Sequence, residues 1–527
     1  MHDFTAPESV RDLPTLGVML AKRAAEHPER EFARFDDGTV WSWGDAMDLA
    51  RGAGKLLQDE GVGFGDRVAM FLENGPEFIQ VWFGASLIGA VIAPLNPSYK
   101  GAMLDGTLAT AQATVLVTSE DRVALVQRVA TSPKLVAAER FRGVRATSLD
   151  VERSPEPWDA HAIIFTSGTT GLSKASVNTW AHCFTAGSWM IDGCNLSEDD
   201  VFLVDLPLFH LSAITPVVLT VSQGGRIVVQ RTPVMSGAGY WRNAKAIGAT
   251  AGYCVGTMAQ FFAGQPEDES DRDHNIRFML ASPLPNDPAA FIARFGLQGL
   301  MTAYGSSESS VSIRMTLDAE IRTGSCGTLR PEFELRLVDE NDFPVAEGEV
   351  GEAIVRSTSP WIMQMGYLGN PEATQTAWRN GWFHTGDALR RDADGFYYFH
   401  DRYKDAVRRR GENISSFEVE REVAAYPGIA EVACVPYPSD AGGDDEVKVF
   451  YLRAPDAQID HVALVEFLVE QMPHYMVPRY FEPIDDFPRT ASQRVQKFQL
   501  RSKGNSELTW DREAAGLIVG RKGLIRG

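Results

Sequence analysis

The period of the apolar positions changes repeatedly along the chain, and each change marks an element. Leu16, Leu20 and Ala24 recur at the spacing of one helix face. Residues 32–35 and 39–42 flank Asp36-Asp37-Gly38, a hairpin signal. Apolar runs at 67–72, 90–93, 113–118 and 162–165 read as buried strands, with a helix predicted over 76–87. Behind Asn178, a good helix cap, Trp180, Phe184 and Ile191 resume helical spacing. Strands are predicted again at 201–206, 225–230 and 277–281. Strands alternating with helices predict an α/β fold with a mostly parallel sheet, whose ligands sit at the carboxyl ends of the strands.

The pattern shifts past residue 320. Short β-branched runs at 333–338, 349–356 and 396–399, separated by Gly and Asp, predict a small β-rich subdomain. Beyond the charged stretch 401–410, Ser415-Ser416-Phe417-Glu418 is a capping box for a helix running to Tyr426. Runs at 429–435, 447–452 and 480–484 with a helix at 462–472 predict a small α+β domain. The expected organisation is a large domain over 1–402, a second domain over 403–505 and a tail over 506–527.

Composition narrows the function. A chain of 527 residues is too long for one core. A net charge of −20 argues against nucleic acid and anionic membrane surfaces as partners. The five cysteines form no CxxC pair and no metal-ligand cluster, so reduced core thiols in a cytoplasmic protein are expected. The long uncharged stretch 78–95 is broken by Gln80, Gly84, Ser86, Gly89 and Pro94 and reads as a buried helix entering a strand, not as a membrane span. The first residues have no basic and apolar leader pattern. A homodimer is one assembly this reading allows.

Candidate chemistry concentrates at 163–174. A buried strand runs into Thr166-Ser167-Gly168-Thr169-Thr170-Gly171-Leu172-Ser173 and closes on Lys174. Gly168 and Gly171 let the backbone present N–H groups to an anion, the hydroxyls add donors, and Lys174 adds a point charge. It is not a Walker loop, since no Gly-Lys-Ser/Thr is present at the required spacing. A plain solvated turn does not need five hydroxyls around two glycines and a lysine directly after a buried strand. Other candidates are ambiguous singly. His210 after a strand, Glu308, and the Thr-Gly-Asp ending at Asp387 would each pass as structural, and Arg408-Arg409-Arg410 as a solvated turn.

The stretch 166–174 resembles the phosphate loop of the adenylate-forming superfamily, with Ser173 where Pro is common and Ala175 where Gly is common. Further segments resemble the same superfamily in the same order, over about residues 30 to 500. The resemblance places His210 beside the acyl pocket and Ser282 against the adenine. In Tyr304-Gly305-Ser306-Ser307-Glu308 it implies a phosphate contact from Ser307 and a Mg²⁺ ligand in Glu308. Asp387 and Arg402 would hold the ribose, Lys404 would be the hinge, Gly411 would line the thiol's path, and Arg409 and Arg410 could meet CoA phosphates. The superfamily's adenylating lysine falls on Arg494, which keeps a positive charge at all relevant pH; Lys497 is the second candidate for that role.

The implied chemistry is that of an acyl-CoA synthetase using ATP, Mg²⁺ and CoA. A carboxylate attacks the ATP α-phosphate, and a thiol then attacks the acyl-adenylate. The run 404–420 looks closest to the crotonobetaine/carnitine-CoA ligase branch, whereas the expected acyl-pocket stretches 209–217 and 252–262 are apolar and suit an apolar or aryl acid at least as well. Two rival readings are a free-standing adenylation enzyme that loads a carrier protein, and an ATP- or acyl-binding protein inactive through Arg494.

Overall fold

A computed structural model describes residues 9–129, 133–166, 174–231, 237–255, 258–285, 287–402, 406–409, 412–439, 445–455, 457–488, 495, 497–521 and 523–526. The large domain is built on two sheets. One has seven strands, in the order Gly366–Tyr367, Lys174–Thr179, Ala160–Thr166, Val91–Pro94, Arg67–Phe71, Val115–Thr118, Lys134–Ala137. The last five of these pair in parallel, as the alternation of strand and helix predicts.

The other sheet has thirteen strands. Its parallel part runs through Gly299–Ser306, Phe278–Ser282, Ala251–Val255, Val201–Val204, Arg226–Val229 and Glu31–Phe35. The β-rich segment is not a separate sheet. Ser310–Met315 folds back antiparallel on Gly299–Ser306 and carries the ladder on through the strands up to residue 402.

The main core lies between the sheets, where helices Leu16–Glu26, Trp43–Asp59, Pro76–Leu87, Trp180–Gly193 and Leu211–Gln223 bury Leu20, Ala53, Trp82, Phe184 and Val218. Fully burying a side chain the size of Leu20, Phe184 or Val218 contributes about 1.5–3 kcal/mol. Ser42 and Asp45 form a capping box at the start of the second of these helices. That helix meets Pro76–Leu87 at Gly84, where a Cβ would lie 2.6 Å from the Ala53 Cβ. The uncharged stretch is thus a core helix, and no helix among the described residues is long and apolar enough to cross a membrane.

Behind Thr166 the chain differs from the expected strand, loop and helix. Lys174–Thr179 is itself a strand, antiparallel to Ala160–Thr166 with Thr166 opposite Lys174. The helix starts only at Trp180, capped by Thr179, whose Oγ1 accepts the His182 N–H at 3.0 Å. Asn178 is buried inside the strand, where its Oδ1 accepts from Ser176 Oγ at 2.9 Å. Its side chain is turned into this contact within its own strand, which is why it does not cap.

The C-terminal domain has a four-stranded sheet, Ile429–Pro438, Asp445–Arg453, Tyr480–Pro483 and Trp510–Asp511, packed with helices Ser416–Ala424 and His461–Gln471. Its last strand and the hairpin Leu517–Gly520 with Gly523–Arg526 come from residues expected as a tail; Val519 and Leu524 pack on the domain core.

Candidate active site

Three strand ends meet where the two sheets adjoin. Thr166 closes one strand and Lys174 opens its partner. From the thirteen-stranded sheet comes the turn after Gly299–Ser306, which carries Glu308. Gly305 is required there, because a Cβ would lie 2.1 Å from the Ser310 carbonyl oxygen. Ser306 Oγ accepts the N–H groups of Glu308 at 3.2 Å and Ser309 at 3.1 Å, which shapes the turn. The Gln364 N–H donates to the Glu308 carbonyl at 2.9 Å, and Ser176 Oγ lies 3.2 Å from the Ser307 carbonyl oxygen. Both sheets therefore fix the Glu308 backbone.

Thr166 Oγ1 donates to Glu308 Oε1 at 3.0 Å, and the Tyr367 hydroxyl donates to the same oxygen at 3.1 Å. Lys174 Nζ lies 4.7 Å from the centre of the Tyr367 ring. Burial, and then the Glu308 carboxylate, raises the Tyr367 pKa, so its hydroxyl remains a donor. One carboxylate, one ammonium and two hydroxyls thus meet at a junction that suits a metal-bound phosphate. Among the described residues both hydrogen bonds to this carboxylate fall on Oε1, so a hard cation fits at Oε2.

A second group gathers on the adjoining ladder. The Tyr304 hydroxyl donates to Asp387 Oδ2 at 2.8 Å. Thr385 Oγ1 accepts the Asp387 N–H at 3.1 Å and donates to the Ala353 carbonyl at 2.7 Å. Glu352 takes the Gly386 N–H on Oε1 at 3.1 Å, with His384 Nδ1 3.0 Å from Oε2. Burial alone would raise the Glu352 pKa; the His384 hydrogen bond and charge, with the Gly386 N–H, bring it below its ordinary value. Asp342, Glu352 and His384 cluster closely enough to bind a metal. The Arg379 guanidinium already supplies the cation there, 3.0 Å from Asp342 and 3.3 Å from Glu352. Ser282 Oγ donates to the Ala303 carbonyl at 2.8 Å, which ties its strand end to Tyr304.

His210 stands just before helix Leu211–Gln223. Buried Asn74 holds its loop: Nδ2 donates to the Leu206 carbonyl at 2.8 Å, and Oδ1 accepts the Leu208 N–H at 2.8 Å. The His210 ring lies 4.3 Å from that of Phe209, and its Nε2 is 3.5 Å from Glu412 Oε2. Glu412 belongs to the C-terminal hairpin of Ala406–Arg409 and Glu412–Ser415, so that hairpin reaches the His210 side of the large domain. Asn96 Nδ2 donates to the Tyr475 hydroxyl at 2.6 Å and forms a second contact between the domains.

The structure therefore brings together Thr166, Lys174 and Glu308, pairs Tyr304 with Asp387, and sets the Ser307 carbonyl and Ser282 beside them. The expectations for Ser167, Gly168, Thr169, Thr170, Gly171, Lys404, Arg410, Gly411 and Arg494 fall outside the described residues, as does the side chain of Arg402. The expectation for Arg409 needs correction. Its guanidinium donates to the Tyr475 carbonyl at 2.9 Å and the Val477 carbonyl at 3.1 Å and lies 2.7 Å from Glu446. With 2% exposure it is a core ion-pair residue, not a surface cation for CoA phosphates. Lys497 is likewise committed, with Nζ 2.6 Å from Glu420 and donating to Ser416 Oγ at 2.7 Å.

Sequence reasoning missed Tyr367, Gln364, Asn74 and Glu352. Of these only Tyr367 has a local signal, an aromatic between Gly366 and Gly369 just before Asn370-Pro371. The others matter through partners more than a hundred residues away, or across a ladder.

Comparison with known proteins agrees with this geometry. The profile of the AMP-binding enzyme family matches residues 20–368, and that of the AMP-binding enzyme C-terminal domain matches 418–494. A crotonobetaine/carnitine–CoA ligase from Escherichia coli is 30% identical over 469 residues, covering 85% of this chain and 90% of that protein. Among solved structures, o-succinylbenzoate CoA synthetase from Bacillus subtilis, bound with a product analogue, has a TM-score of 0.82 at 22% identity, covering 92% of this chain and 98% of that one. The amide bond synthetase McbA from Marinactinospora thermotolerans has a TM-score of 0.78 at 23% identity, covering 93% and 99%. These two likenesses concern the fold. With its two sheets, its strand-end site and a family profile over most of its length, the chain belongs to the AMP-binding enzyme family, the adenylate-forming acyl-CoA synthetases.

Proposed function

We propose that the site performs ATP-dependent ligation of an apolar carboxylic acid to CoA, with Glu308 as the ligand of Mg²⁺ and Arg494 as the adenylating cation. The observation that carries this reading is the convergence of the Thr166 and Tyr367 hydroxyls on Glu308, with Lys174 over the Tyr367 ring. In the first step the substrate carboxylate oxygen bonds to the α-phosphorus of ATP and the bond to pyrophosphate breaks. In the second, the CoA sulfur bonds to the acyl carbon, AMP leaves, and the thiol proton passes to solvent or a base. Bound Mg²⁺ supplies charge neutralisation on the phosphates.

The chain's own groups do the rest. Lys174 and the hydroxyls of the 166–174 loop hold phosphate oxygens, with Ser307 beside them. Asp387, oriented by Tyr304 and Thr385, accepts from the ribose hydroxyls, and Arg402 assists. Ser282 borders the adenine. His210, held by the Asn74 clamp, faces the acyl group. Lys404 serves as hinge, and Gly411 and Arg410 lie on the path of CoA. Arg494 neutralises the charge that builds between carboxylate and α-phosphate, where a fixed cation is most effective. The apolar stretches 209–217 and 252–262 favour an apolar acyl chain over a cationic one. Five cysteines that form no disulfide suit a reducing cytoplasm.

The test is pyrophosphate and AMP release over a panel of carboxylic acids, carnitine included, with ATP, Mg²⁺ and CoA. Turnover on apolar acids is expected, and ADP with phosphate would refute the reaction. Arg494→Ala should abolish ATP–pyrophosphate exchange yet still form thioester from a pre-made acyl-adenylate.

A further inference from the structure

We infer that Tyr367 is a positioning residue that couples the metal-binding carboxylate to the phosphate-binding lysine. The inference rests on the roles proposed above for Glu308 and Lys174. Tyr367 is held from both sides. Its strand pairs antiparallel with Lys174–Thr179, Tyr367 opposite Ser176, flanked by the Met365 N–H to Val177 at 2.8 Å and the Leu368 N–H to Ala175 at 2.9 Å. Its own N–H donates to Thr374 Oγ1 at 2.9 Å. Gly366, at φ 137°, brings helix Pro371–Ala377, which carries Thr374, close; a Cβ there would lie 3.0 Å from Thr374 Cγ2. The side chain is 8% exposed, so the ring is set by packing and not by solvent.

One rigid ring then performs two tasks. Its hydroxyl and that of Thr166 both donate to Glu308 Oε1, which fixes the rotation of a carboxylate that would otherwise turn about its terminal bond. Its face lies beneath the Lys174 ammonium. An aromatic face attracts a cation without neutralising it, so the lysine is oriented while its charge stays effective toward an anion. The two functions are separable: phenylalanine removes the hydroxyl and keeps the face, whereas leucine removes both.

The experiment measures equilibrium binding of Mn²⁺, read by electron paramagnetic resonance, to enzyme saturated with α,β-methylene-ATP, alongside calorimetric binding of the analogue without metal. Tyr367→Phe should weaken Mn²⁺ roughly 10-fold, the loss of one hydrogen bond to a charged group, and leave metal-free analogue binding unchanged. Tyr367→Leu should weaken Mn²⁺ similarly and also weaken the metal-free analogue about 3-fold. In a Glu308→Gln background, Tyr367→Phe should add nothing to the Mn²⁺ defect. If Glu308→Gln binds Mn²⁺ like wild type, the metal role proposed for Glu308 falls. If Glu308→Gln loses Mn²⁺ while Tyr367→Phe keeps it, the inference about Tyr367 falls and the reading of Glu308 stands. Equal metal-free losses in both Tyr367 variants would identify a purely structural residue.

Discussion

Two hairpins of this molecule look alike in sequence and use their cations in opposite ways. Thr166 and Lys174 face each other at the mouth of one; Ala406–Arg409 and Glu412–Ser415 form the other. Each carries glycine and positive charge near a tip. In the first, the ammonium rests on an aromatic face beside a carboxylate held by two hydroxyls. In the second, Arg409 turns inward, and two carbonyls with Glu446 take up its guanidinium. The difference lies in the acceptors the surrounding fold leaves for the cation. A ring face leaves charge available to a ligand, whereas carbonyls and a buried carboxylate consume it.

The largest effects should separate these two cations cleanly. Lys174→Ala should lower ATP–pyrophosphate exchange by about 100-fold, the scale of losing one group that stabilises developing charge, with little change in melting temperature. Arg409→Ala should do the reverse. Removing one partner of a buried ion pair costs about 3–5 kcal/mol, so C-terminal domain stability should fall steeply in urea while the CoA KM of the folded fraction stays put. A stable Arg409→Ala enzyme with a raised CoA KM would return Arg409 to the CoA site and end the comparison.

The inward turn of Arg409 was legible in principle. Along a strand the side chains alternate, and Val407, two residues before, is fully buried, so Arg409 shares its face while Arg408 is exposed. A run of three arginines conceals that alternation, because charge runs are read as solvated. The loop proposed for phosphate stands out in the sequence for the opposite reason, since its hydroxyls and glycines are contiguous. Parallel strands and core helices were legible from apolar periodicity, and the order of the motifs from the resemblance to the adenylate-forming superfamily. The second strand of the phosphate hairpin was not. Lys174–Thr179 has only mixed polarity, and its buried hydroxyl at Ser176 meets Asn178 on its own strand and Gln364 far along the chain. Tyr367 became visible only once that strand had a neighbour.

Burial without partners gives the next contrast. Asp205 is 1% exposed, and neither carboxylate oxygen has a hydrogen-bond partner among the described residues. Burial pushes its pKa up to about 7 from 3.8. The folded state thus holds a proton that the unfolded state releases above 3.8, and stability should be lost as pH rises from about 4 to about 7. His161 and His182 are buried neutral, with pKa lowered to about 3 from 6.5. They act in the other direction: their contribution is fully present above 6.5 and lost as pH falls toward 3. Asp205→Asn removes only the opposing slope. Its melting temperature should climb more steeply than wild type up to about pH 6.5, then stay flat through pH 7 to 8 where wild type has declined. Parallel curves for the two proteins would mean that Asp205 is ionised throughout, with a compensating partner, and would weaken the rule drawn from Arg409.

The smallest effect belongs to Lys497, a third cation in the same domain. It lies three residues beyond Arg494 and was the alternative source of adenylating charge. Its Nζ contacts Glu420 and Ser416 at the start of helix Ser416–Ala424 and is 17% exposed. A half-buried pair of this kind is worth about 1 kcal/mol, and none of that is spent on a transition state. Lys497→Ala should therefore shift the urea midpoint slightly and leave ATP–pyrophosphate exchange within about 2-fold of wild type. Acetylation at Lys497 removes the same charge and should be tolerated to the same degree. The comparison would break here if Lys497→Ala abolished exchange while Arg494→Ala retained it. Lys497 would then have to leave Glu420 during adenylation, and the commitment of a cation to the fold in one state would no longer show that it is withheld from the ligand in another.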